Sequence, residues 1–66
     1  MMITDEFVER VAAEIYAERH KTEPEKYPWA TWSAFLADPI GAARVPVWRN
    51  DIRLGIVAID RVRSEP

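Results

Sequence analysis

Apolar positions in the first third of the chain recur at helical spacing. Phe7, Val8, Val11, Ala12, Ile15 and Tyr16 fall three and four residues apart, while Glu6, Glu9, Arg10, Ala13, Glu14 and Glu18 take the other side. Thr4 is placed as an N-cap, with Asp5 and Glu6 in the first turn and Ile3 able to staple onto Val8. Arg19, His20 and Lys21 suit a last turn, and Pro24 opposes continuation. The pattern predicts a long helix over about 4–21.

A second apolar cluster lies in YPWATWSAF, residues 27–35. Pro28 suits a first helical position, and Trp29, Trp32, Phe35 and Leu36 would then share one face of a short helix over about 28–37. Asp38 and Pro39 should stop it. The next stretch, PIGAAR, holds Gly41 between Pro39 and Pro46 and reads as a connector.

The third patterned segment runs over about 46–63. As a helix it lines up Trp48, Ile52, Gly55, Ile59 and Val62, flanked by Val47, Leu54, Ile56 and Ala58, with Arg49, Arg53, Val57, Asp60 and Arg61 opposite. This apolar arc is broad. As strands, VPVW and IRLGIVAID could instead pair across RND. The helix reading fits better, because the run does not alternate cleanly and a lone hairpin would leave exposed edges. Gly55 costs a helix about 1 kcal/mol relative to alanine, so a close backbone contact is expected there. Asp51 falls awkwardly near the apolar arc. The expected fold is all-α: one small domain over residues 1–66, with long, short and long helices around the aromatics.

Composition narrows the picture. A hydrophobic fraction of 48% and a charged fraction of 30% describe a folding chain, not a disordered one. At 66 residues, folding buries only about 60% of the unfolded surface, so the core must be efficient or shared. With no cysteine, neither disulfides nor thiolate metal sites can help. The start, MMITDEF, lacks the features of a secretory signal, and the apolar runs are too short for a membrane span. A cytoplasmic protein is expected.

The net charge of −2 conceals an asymmetry. Residues 1–25 carry seven acids against three bases, whereas residues 40–66 carry five arginines against three acids. Such ends can attract one another within one fold or between two copies, and the arginine end could face phosphates.

Catalytic candidates are sparse. His20 is the sole histidine, and its RHK setting at a helix end suits a solvated residue better than a general base. His20 and Glu23 supply too few ligands for a metal, and two isolated glycines make no phosphate loop. No catalytic, metal or cofactor residue is assigned, and an enzyme is not expected. Arg49, Arg53 and Arg61 would carry nucleic-acid binding in a helix-turn-helix regulator of excisionase or repressor type. That alternative ranks second, since the overall charge is negative and two prolines flank the connector. Trp29, Trp32, Trp48 and Ile56 are the candidate partner-binding residues. The tryptophans are also expected to fill the core, with one left partly exposed.

ERVAAEIYAER at 9–19 and WRNDIRLGIVAIDRV at 48–62 resemble the terminal helices of a group of short proteins from actinobacterial phages and prophages. In that group the first helix looks like ERVARAIY and the last like R-x-x-YR-x-x-ARAAI; Ile52 stands here where the aromatic would be. The resemblance implies an accessory phage protein with no established activity, and it transfers no catalytic residue. The combined expectation is a non-enzymatic protein that binds a host or phage protein, with homodimerisation as a further expectation.

Overall fold

The computed structural model describes residues 3–65. Three helices follow in order: α1 (Asp5–Thr22), α2 (Trp32–Ala37) and α3 (Pro39–Ser64). The described residues contain no strand, so 46–63 is helical and the hairpin alternative is set aside.

The first helix forms as its pattern predicts. The Thr4 hydroxyl accepts the Phe7 N–H at 3.1 Å, with Asp5 and Glu6 in the first turn. At the other end the Glu23 N–H donates to the Arg19 carbonyl at 2.7 Å. Lys26 and Tyr27 N–H groups then both donate to the Glu23 carbonyl, turning the chain back.

The second helix begins later than Pro28. The connector before it is tied to α1 by two side chains: the Tyr16 hydroxyl donates to the Trp29 carbonyl at 2.7 Å, and His20 Nδ1 to the Tyr27 carbonyl at 2.7 Å. A carbonyl can only accept, so Nδ1 carries the proton. His20 is thus a half-buried anchor, where a solvated residue was expected. Thr31 is extended and caps the helix, its hydroxyl accepting the Ala34 N–H at 3.1 Å. Trp29 therefore stands ahead of α2, packing edge-on to Phe35.

The expected connector at 39–45 is the start of α3. Asp38 ends α2 by donating its N–H to the Phe35 carbonyl, and starts α3 by accepting the Ile40 N–H on its side chain. Pro39 occupies the first helical turn, where its missing N–H costs nothing. Gly41 has no positive φ; it is there for space. A Cβ at this position would lie 1.8 Å from the Phe35 carbonyl oxygen, so only glycine lets the two helices meet at so tight a corner. Pro46 sits within α3 and removes the bond to the Ala42 carbonyl, but both residues are on the solvent side, where water can take the bond's place.

The core consists of Val8, Ala12, Tyr16, Trp32, Phe35, Val45, Ile52 and Ile56. Tyr16 is its centre, stacked on Phe35 with ring centroids 4.9 Å apart and within 6.2 Å of Trp32 and Trp48. Large rings from all three helices thus do what many aliphatic residues do in a longer chain. Glu9 pairs with Arg49 and Asp5 with Arg53, so α1 and α3 run antiparallel. Since Asp5 opens α1 level with Arg53, the last turns of α3 project beyond it.

Candidate protein-docking surface

The seam between α1 and α3 has two unlike sides. On one, Glu9 accepts both Arg49 and, at 2.9 Å, the Trp32 indole N–H, while Asp5 accepts Arg53. The hydrogen bond from Arg49 holds the Glu9 carboxyl below its ordinary pKa, helped by the Trp32 bond and the Arg49 charge and opposed by partial burial. Arg53 also reaches the Ile3 carbonyl. This side is lined by charge pairs.

The other side is an open apolar groove of about 320 Å³. Val11 and Ile15 of α1 form one wall and Gly55 and Ile59 of α3 the other, with Ile52 and Ile56 between them. Trp48, Arg19 and Asp51 complete the lining, and the Arg19 guanidinium lies over both the Tyr27 and Trp48 rings, at 5.4 and 5.5 Å. Towards the projecting end of α3 the apolar character continues: Ile59 is 58% and Val62 66% exposed. Arg19 and Asp51 are the charged groups of an otherwise apolar lining.

Of the four candidate partner residues, the structure brings two to this groove. Trp48 is half-buried in its lining and Ile56 forms part of its floor. Trp32 is buried with its indole bonded to Glu9, and Trp29 packs in the connector, so both serve the core instead. Val11, Ile15 and Arg19 were not singled out from the sequence. Val11 and Ile15 belong to the inward stripe of α1, and only the relative placement of two helices shows that this stripe is wider than its cover.

Gly55 meets no atom within 4 Å of where a Cβ would stand, so the close contact expected there is absent. The glycine instead deepens the groove wall. Arg49 and Arg53 lie on the ionic side, each against a carboxylate, and Arg61 is exposed on the projecting end. The three do not form one patch. His20 and Glu23 are committed to the Tyr27 carbonyl and to Arg19 and Lys26, respectively. Among the described residues, no three potential metal ligands converge and no helix is long and apolar enough to cross a membrane.

Against known proteins, no family model, curated protein or solved structure gives a significant match to this chain.

Proposed function

We propose that this chain is a small, non-enzymatic accessory protein that works by holding another protein in the α1/α3 groove. The observation that carries the reading is the groove itself, apolar along both walls and running on into exposed Ile59 and Val62. Exposed contiguous apolar surface on a small domain marks an interaction site. The resemblance to phage proteins makes a host or phage protein in the bacterial cytoplasm the partner class to test first.

The groove geometry suits the apolar face of an amphipathic helix, with Arg19 and Asp51 of the lining available to charged groups that flank it. The DNA-binding alternative has less support. Two of its three arginines face carboxylates, and a single residue, Asp38, separates α2 from α3, where a helix-turn-helix uses three or four.

The test is affinity capture from a bacterial host with the intact chain and with Ile59→Glu. Ile59 is exposed, so the variant should fold. A protein retained by the intact chain and lost with Ile59→Glu is the expected result. Equal retention by both would overturn the assignment of the groove.

A further inference from the structure

The outer surface of α3 carries a second, separate pattern. Ile40, Val47 and Leu54 are 56%, 62% and 59% exposed. They are seven residues apart, so each step of about two turns shifts the row by only about 20°, and the row runs along about four turns of helix. Beside this row stands another, of Arg44 and Asp51, again seven apart and exposed. Among the described residues neither makes an ion pair, and both sit next to apolar side chains.

The two rows share one midpoint. The apolar row is centred on Val47, and the charged row between Val47 and Trp48, under about 1 Å further along the helix axis. Placing a second α3 antiparallel, with a two-fold axis at this point, sets Val47 against its own copy and Ile40 against Leu54 of the second chain. The same operation sets Arg44 against Asp51 of the second chain, and does so twice. On the far flank it sets Ala43, a small residue, against Asn50. A parallel two-fold would instead turn the charged flank towards Ala43 and Asn50 of the second chain and leave Arg44 and Asp51 without opposite charges. Opposite charges seven apart beside an apolar row of the same period are therefore self-complementary under one symmetry only.

We propose that the outer row of α3 is the contact surface of an antiparallel homodimer, with Val47 on the axis and two Arg44–Asp51 pairs fixing the register. The dimer uses a different face from the docking groove, with Asp51 at the boundary between them. Each copy keeps Ile59 and the α1 wall clear of the contact.

Charge reversal tests this directly, because all the positions changed are exposed. The intact chain, followed by sedimentation velocity up to about 1 mM, should pass from monomer to dimer. Arg44→Asp alone and Asp51→Arg alone should each raise the dissociation constant at least about tenfold, since each puts two like-charged pairs in the contact. An equimolar mixture of the two variants should dimerise again, because one chain then carries two acids and the other two arginines. Val47→Cys in this cysteine-free chain should oxidise readily to a covalent dimer, and Ser33→Cys should not. Ile59→Glu should leave the dimer intact, which separates this surface from the groove. A chain monomeric throughout the range, or a dimer lost with Ile59→Glu and indifferent to both reversals, would overturn the proposal. The first of these results would leave the row to a partner of different sequence.

Discussion

Replacing Gly41 by alanine tests the account of the corner between α2 and α3. The new methyl carbon would stand 1.8 Å from the Phe35 carbonyl oxygen, 2.7 Å from its carbonyl carbon and 2.8 Å from its ring. Two of those atoms are backbone, so no side-chain rotation relieves the clash. Ordinary contact begins at 3.4 Å, so α2 must retreat by about 1.6 Å, taking the fully buried Phe35 ring with it. Overpacking in a core costs about 1–3 kcal/mol, and a rigid backbone obstacle belongs at the upper end. The gain in helix propensity, up to about 1 kcal/mol, opposes it. The net loss should be about 2 kcal/mol, a large part of the roughly 3–10 kcal/mol available to a domain of this length. In urea, with a slope near 1 kcal/mol/M, the midpoint should fall by about 2 M. Tryptophan fluorescence and circular dichroism would both follow the transition. Gly55→Ala is the matched control: it meets nothing within 4 Å and should raise the midpoint by about 1 M. Equal effects of the two substitutions would refute the reasoning, since they differ only in what surrounds them.

Two further predictions concern pH. Glu9 has a folded-state pKa below its ordinary value of 4.5, so it contributes stability above that value that is lost as pH falls through the folded pKa. Arg49→Ala should therefore flatten the acid limb of the stability profile, measured by urea midpoints from neutral pH downwards; an unchanged limb would count against the pair. The Tyr16 hydroxyl is pushed above its ordinary value of 10.0, chiefly by burial. Its contribution is complete below that pH and is lost as pH rises through the folded pKa, so the fold should weaken in strong alkali as this group ionises. Tyr16→Phe should remove that step at a cost of about 1–2 kcal/mol at neutral pH, because the Trp29 carbonyl loses its donor. Alkaline titration of the two proteins by near-ultraviolet circular dichroism checks both statements.

The first helix was legible because cap, charge and apolar period all agree within residues 4–22. The class of the third segment was legible too, since its period is helical over many turns. The start of α3 was not. Pro39, Gly41 and Pro46 each read locally as breakers, yet each is tolerated for a tertiary reason: a first turn, a close approach to Phe35, and a solvent-facing carbonyl. The same misreading hid Ile40 and Arg44, and with them the outer row of α3. Pro28 misled in the opposite direction, because residues 27–29 are held outside the helix by hydrogen bonds from Tyr16 and His20. Of the candidate site, Trp48 and Ile56 could be found by periodicity, whereas the α1 wall depends on how two helices sit together. The arginines looked like a patch because their carboxylate partners are some 40 residues away in the chain.

Asp38 serves two helices at once, and that sharing bears on how the molecule opens. Six residues are far too few to hold a helix alone, so α2 lasts only while its end is fixed to α3. Breaking the corner frees the last carbonyls of α2 and the first amides of α3 together, and releases Phe35 from the centre of the core. The segment from Thr31 to Val45 is therefore one cooperative unit of local unfolding. Its amides should exchange with solvent deuterium at a common rate, distinct from that of mid-α1. Fluctuations at this corner, not fraying of the long helices, set how often the aromatic core meets water.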